Sequence, residues 1–172
     1  IFTNHDQNYN DGGHTLRDFY GDNRYALNVL EFTFYGMPLL YQGQEIGDPD
    51  TLNYFTDAKV KWSRVDRKMQ HLVRTLCALH HTQPSLAADA PVELLAVSEP
   101  TVLAYQRGPV VVLLNLGTSP CSVSCNSIAA STYTQWLDSQ TITDGPSATD
   151  VTLDANAPIS LEGKGFAVFV KQ

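Results

Sequence analysis

Long apolar runs are missing from this chain. No stretch approaches the ~20 consecutive apolar residues that a membrane-crossing helix needs. Runs of Lys or Arg are also missing. Eleven basic side chains stand against 18 acidic ones, a net charge of −7, so nucleic acid and acidic membrane surfaces are poor partners, while an uncharged ligand fits the balance. Cysteine is scarce: three residues make no disulfide framework. Cys77 lies in an apolar helical pattern. Cys121 and Cys125, if extended, point to one face about 13 Å apart, too far to bridge. A zinc site built on that pair needs two more ligands, and none lies nearby at suitable spacing. All three read as buried or half-buried free thiols. An initiator Met and a basic start leading into an apolar signal run are absent as well. The chain opens Ile1-Phe2-Thr3 as if inside a strand, so it is expected to be a piece of a longer protein, with its localisation open.

What is present is an ordinary globular composition, 43% hydrophobic and 17% charged over 172 residues, enough for one medium domain or two small ones. The texture changes near Pro84. Residues 1–3 read as the end of a buried strand and give way to a polar loop, residues 4–14. Asp22 is placed to cap a helix over 23–35, with Leu27, Leu30 and Phe34 as its apolar stripe. Gly36 and Pro38 stop it. Residues 38–41 form a short apolar run, read as a second buried strand, which ends in the polar Gln42-Gly43-Gln44-Glu45. A loop of about 20 residues follows. A helix is expected over 66–82, capped by Asp66, with Val65, Met69, Leu72, Val73, Leu76 and Leu79 on its buried face. From residue 92 the pattern is of strands: 92–97, 101–107, 110–116, 121–125, 132–137, 151–153 and 166–170. Turn signals at Gly108-Pro109 and over 117–120 separate them, which suggests an antiparallel sandwich.

The densest cluster of reactive side chains is His5, Asp6, Asp11 and His14. Three readings stand side by side. The Asn and Asp side chains could satisfy only their own loop backbone. The four could hold a metal, although their spacing matches no closed motif. Or they mark an active-site edge at a strand end, since the C-terminal ends of strands carry the active site in an α/β barrel. Other residues have plainer readings. Asn4 shapes the turn. Glu45 is a structural acid or an outer-pocket contact. Tyr41 and Trp62 are packing residues with some capacity to stack on sugar. His80 and His81 sit at a helix end, where they suit the last carbonyls.

Phe2-Thr3-Asn4-His5-Asp6 resembles the block at the end of the seventh barrel strand in the α-amylase superfamily of glycoside hydrolases. The segment from Gly36 through Tyr41-Gln42-Gly43-Gln44-Glu45 to Gly47 resembles the stretch through that family's eighth strand. Trp62-Ser63 and the run from Leu79 to Leu86 are similar to its exit through the eighth helix. The strand-rich remainder is similar to its C-terminal β domain. The resemblance covers the whole chain in order. It implies an α/β plus all-β fold: a partial (β/α)8 TIM barrel, the last two β/α units, over residues 1–85, followed by an antiparallel Greek-key β-sandwich domain over residues 86–172.

The resemblance further implies that Asp6 is the transition-state-stabilising catalytic carboxylate and that His5 binds substrate hydroxyls. Glycosidic cleavage passes through an oxocarbenium-like state, and a carboxylate gripping the sugar's hydroxyls strengthens as that positive charge grows. The implied activity of the parent is retaining hydrolysis of α-glucosidic bonds in starch-like glucans or maltooligosaccharides. Nucleophile and general acid come from the family's fourth and fifth strands and match nothing here, so the chain alone is expected to be inactive. No metal or cofactor is assigned; calcium, common in the family, has its usual ligands largely outside these residues. Two barrel strands cannot close a barrel, which leaves edges open to self-association. A second reading is a non-catalytic carbohydrate-binding or structural sandwich, for which Tyr105, Tyr133 and Trp136 make a sparse platform.

Overall fold

The computed structural model describes residues 3–10, 14–142, 145–146 and 149–172. Thr15 opens α1, Leu16–Tyr20, through a reciprocal cap. Its hydroxyl accepts from the Asp18 N–H, and the Asp18 carboxylate accepts from the Thr15 N–H at 2.8 Å. That backbone hydrogen bond from Thr15 holds the Asp18 carboxyl below the usual carboxylate range. Helix α2 follows as Asn23–Thr33. Asp22 makes no capping hydrogen bond to it and instead pairs with the Arg24 guanidinium at 3.1 Å. The buried face of α2 also differs from the expected stripe. Ala26, Val29 and Phe32 are enclosed, while Leu27, Leu30 and Phe34 are half-buried. The helix is turned by about one residue because buried polar partners share its inner face: the Thr33 hydroxyl lies 2.6 Å from that of Tyr105.

Helix α3, Arg67–Thr82, matches its expectation. The Asp66 carboxylate accepts from the Met69 N–H at 3.1 Å, satisfying one of the orphan donors of the first turn. Met69, Leu72, Val73, Leu76 and Leu79 line its buried side. At its far end the Thr82 hydroxyl donates to the Ala78 carbonyl at 2.9 Å, while one ring nitrogen of His80 is enclosed without a partner.

Eight strands follow among the described residues: β1 Glu93–Leu94, β2 Val102–Arg107, β3 Val110–Asn115, β4 Cys121–Val123, β5 Ser131–Asp138, β6 Asp150–Leu153, β7 Ile159–Leu161 and β8 Phe166–Lys171. Six form one antiparallel sheet in the order β1-β2-β3-β8-β5-β6, and β4 pairs with β7 in a second. The expected 92–97 strand is short, with Val97 meeting Cys125 in an isolated bridge. β7 was not expected, because Ile159-Ser160-Leu161 is too brief for a period to register.

Alternation along the strands sorts the core into two. Tyr105, Val110, Val112, Leu114, Phe166 and Val168 pack with α2 and α3 in one cluster. Val111, Leu113, Ala167 and Phe169 pack with Val123, Ile159 and Leu161 in the other. Three layers result: helices, the six-stranded sheet and the small sheet. Buried on both faces, β3 reads as an unbroken apolar run. The expectation of antiparallel strands after residue 92 holds, and helices cover the large sheet's other face.

Arg107 fastens these layers at the end of β2. Only 1% exposed, its guanidinium donates to the carbonyls of Phe34 at 2.6 Å and Ala90 at 2.7 Å, and also to those of Leu86 and Ala87. One side chain so ties the end of α2 and the turn after α3 to the sheet. The cysteines are free, and Cys77 is exposed rather than buried.

The two expected barrel strands do not form as ladders among the described residues. Ile1 and Phe2 lie outside them, and Thr3 is buried in irregular backbone. Residues 38–41 also make no ladder. A parallel strand takes its hydrogen bonds from a neighbour, and no described segment runs beside residues 38–41 as one.

Candidate functional site

The turn that carries Asp6 is built by its asparagines. The Asn4 side-chain oxygen accepts from the Gln7 N–H at 3.0 Å, and the Asn4 carbonyl accepts from the Asn8 N–H at 3.0 Å. One wide helical turn, Asp6–Asn10, results, and Asn4 shapes it as its residue type implied. Asn8 points inward. Buried, it accepts from the Leu52 N–H at 2.6 Å, which fixes the loop of the fifties against the turn.

His5 and Asp6 stand outward on this scaffold. Their side chains are 59% and 55% exposed, and the His5 Nε2 lies 3.5 Å from an Asp6 carboxylate oxygen. The structure therefore brings together the two residues singled out from the sequence. It does not add His14, whose ring packs at 4.7 Å on Phe19; Asp11 lies outside the described residues. Among the described residues no three His, Cys, Asp or Glu side chains are grouped to hold a metal.

Aromatic rings adjoin His5, a feature that reading by period missed. Tyr54 sets its ring edge-on to His5 at 5.4 Å and to Tyr9 at 5.4 Å, and Phe55 packs on Tyr54 at 4.5 Å. The one signal available in the sequence was the Tyr-Phe pair itself, two large aromatics inside an otherwise polar loop.

The second polar segment, 42–50, is organised for structure. Gly43 and Gly47 take φ of 90° and 60°, left-handed values that favour glycine. Between them the Gln44 side chain donates to Asn28 at 2.9 Å. Asp48 is buried and accepts from the backbone N–H groups of Asp50 and Lys61, each at 3.1 Å. Asp50 takes Lys61 and Arg64, and the hydrogen bond from Lys61 draws its carboxyl below the usual range. Glu45 is half-buried with one enclosed carboxylate oxygen. A cavity of about 30 Å³ lies between Thr3, Asn8, Arg24, Tyr41 and Asp48. That is room for a water or two, not a sugar, and neither His5 nor Asp6 lines it.

Behind this loop, Asp66 joins both helices. It accepts from Arg24 at 3.1 Å and from the Tyr25 hydroxyl at 2.6 Å. Burial alone would raise the Asp66 carboxyl, but the hydrogen bonds from Tyr25, the Met69 N–H and Arg24 outweigh it and hold the carboxyl low. Burial and the same carboxylate push Tyr25 up to about 12.

Solved structures share this fold. Ttha1563 from Thermus thermophilus superposes with a TM-score of 0.68 at 19% identity, covering 92% of this chain and 33% of that one. The Nostoc punctiforme debranching enzyme does so at 0.65 and 16%, covering 98% and 32%. The maltogenic α-amylase AmyB from Thermotoga neapolitana does so at 0.63 and 14%, covering 96% and 48%. No family model matches the chain. The resemblance to the α-amylase superfamily of glycoside hydrolases is borne out by a relative in sequence as well as by fold. That relative is α-amylase MalA of Haloarcula japonica, 36% identical over 101 residues, which are 54% of this chain and 14% of MalA. The chain thus spans a small part of its curated relative and at most about half of these solved structures.

Proposed function

We propose that this chain is the C-terminal part of a retaining α-glycosidase of the α-amylase type, acting on α-glucosidic bonds in starch-like glucans or maltooligosaccharides. In this reading residues 1–85 complete a catalytic (β/α)8 barrel and residues 86–172 form its β domain. Asp6 stabilises the oxocarbenium-like transition state, and His5 donates to a substrate hydroxyl. One observation carries the reading: His5 and Asp6 are presented together, outward, on a turn whose Asn4 and Asn8 side chains are taken up in holding it.

The chemistry follows from that presentation. An exposed carboxylate beside an imidazole can take two hydroxyls of one sugar ring, and its grip tightens as positive charge develops. A retaining enzyme also needs a nucleophile and a general acid about 5–5.5 Å apart. The resemblance assigns neither role to a residue of this chain, so the 172 residues alone are proposed to be inactive. The sugar-binding-module alternative loses support, because Tyr105 and Tyr133 are buried and Trp136 packs against the helix-side core. The side chains of Tyr35, Met37, Leu39 and Leu40 are exposed, and any self-association of the chain is assigned to them.

Two measurements test the reading. The chain is incubated with maltoheptaose and reducing ends are counted; turnover abolished by Asp6→Asn would overturn the inactivity. In the longer protein, Asp6→Asn should lower kcat on a maltooligosaccharide by about 10²–10³-fold, the scale of a lost transition-state contact. Unchanged kcat there would remove Asp6 from the catalytic set.

A further inference from the structure

We infer that Tyr54 and Phe55 form a stacking platform that seats a glucosyl ring beside Asp6. The inference rests on the reading of His5 and Asp6 as contacts to sugar hydroxyls, and it assigns substrate positioning to the loop that carries the Tyr-Phe pair.

Phe55 is 76% exposed and Tyr54 39%. Single exposed apolar residues are common, but adjoining rings beside charged side chains mark ligand surfaces. These rings are also held in place. The Tyr54 ring stands nearly perpendicular to His5, at 78°, and to Tyr9, at 74°, and Phe55 lies against it at 4.5 Å. Their backbone is fixed from both sides. Asn8 takes the Leu52 N–H from beneath, and Asn53 forms a turn in which its side chain accepts from the Phe55 N–H at 2.9 Å. Asn8 belongs to the turn that bears Asp6, so platform and carboxylate are parts of one unit. A site held in this way loses little freedom when it binds.

The chemistry of the patch selects its ligand. It combines two exposed aromatic rings inclined at 43°, a hydroxyl-accepting carboxylate and an imidazole donor. A pyranose matches, with one face of C–H groups and a rim of hydroxyls. Its C–H face carries partial positive charge, which suits the negative face of an aromatic ring. An anionic ligand would be set against Asp6 in a chain that is already negative. A neutral sugar ring therefore fits better than a phosphorylated one, and the proposed function makes that ring a glucosyl unit.

The test uses the intact chain with maltotriose as probe, followed by ligand-observed saturation transfer and by the ring-proton shifts of Tyr54 and Phe55. Binding in the millimolar range is expected. Phe55→Ala should weaken it about three- to tenfold, the scale of one aromatic contact, and Phe55→Tyr should restore it. Because Phe55 is exposed, that pair of variants reads binding rather than folding; Tyr54→Phe supplies a second check. The platform is overturned if maltotriose does not bind, or if Phe55→Ala and Tyr54→Ala both bind like the wild type. Asp6→Asn separates the two ideas. If it weakens binding while the aromatic variants do not, the sugar site stands without the platform. If the aromatic variants weaken binding and Asp6→Asn with His5→Ala do not, the platform stands and the role of Asp6 falls.

Discussion

Residues 110–115, apolar up to Asn115, and residues 38–41 are both short, mainly apolar runs, and they meet opposite fates. The first pairs with β2 on one side and β8 on the other, and all six residues are buried. The second lies as irregular backbone with Leu39 and Leu40 about 40% exposed. Composition does not separate them; neighbours do. A fully buried central strand exists where two others offer it ladders and two layers cover its faces. The fold brings β3 both, and brings residues 38–41 neither.

The sheet is not self-sufficient, however, and the largest expected effect comes from removing what covers it. Residues 86–172 alone would expose Tyr105, Val112, Leu114, Phe166 and Val168, which now face α2 and α3. At about 1.5–3 kcal/mol for each buried apolar side chain, their loss rivals the roughly 5–15 kcal/mol that stabilises a whole domain. The shortened chain is expected to aggregate or to give a poorly dispersed amide NMR spectrum. A cooperative thermal transition in it would show that the β region stands alone.

Within the whole chain the next largest effect lies in the doubly covered strand. Leu113→Ala should cost about 3 kcal/mol in urea unfolding, a buried leucine replaced where both sides are packed. A cost under about 1 kcal/mol would mean that the small sheet collapses onto the gap.

The Asp66 network tests whether the helical half is held by its polar joint. Asparagine can still cap α3, so Asp66→Asn isolates the charged hydrogen bonds to Arg24 and Tyr25. The expected loss is about 1 kcal/mol at pH 7, reduced from the usual value because the side chains are partly exposed. The sign with pH is fixed by the lowered carboxyl. Its contribution is present above about 3.9, the unfolded value, and is lost as pH falls through the native one. The melting temperatures of wild type and Asp66→Asn should therefore converge in acid. Tyr25 acts at the other end. Raised to about 12, it contributes below about 10 and loses that contribution as pH climbs toward 12.

What the sequence made legible follows the same division. α3 is long enough for a period to register, and β2, β3 and β8 are long enough to read as strands. β7 carries three. The α2 stripe was misplaced by about one residue because Thr33 and Asn28 turn inward to bonds that apolarity does not signal. At the candidate site, His5 and Asp6 were legible as a motif and Asn4 as a turn-former. Asn8 holding Leu52, and Tyr54 beside His5, were not. Both are contacts across more than 40 positions, where no local pattern reaches.

The smallest expected effect is the sharpest test of the comparison. Leu40→Ser exchanges an apolar side chain for a polar one in a run that looks, by composition, like the core of a strand. If the run is unsupported, as its missing ladder and exposure indicate, the change falls among surface substitutions and shifts stability by about 0.5 kcal/mol or less. The same substitution in a packed strand would bury an unsatisfied hydroxyl and leave a cavity, at several times that cost. Denaturation midpoints of Leu40→Ser and Leu113→Ala, measured in dilute solution, should differ about fivefold or more in free energy. Sedimentation at rising concentration then separates fold from association. A Leu40→Ser chain that is as stable as wild type but less prone to self-associate locates the exposed run as the chain's contact surface. A chain destabilised as much as Leu113→Ala would show that residues 38–41 pair after all, in which case the contrast with β3 collapses.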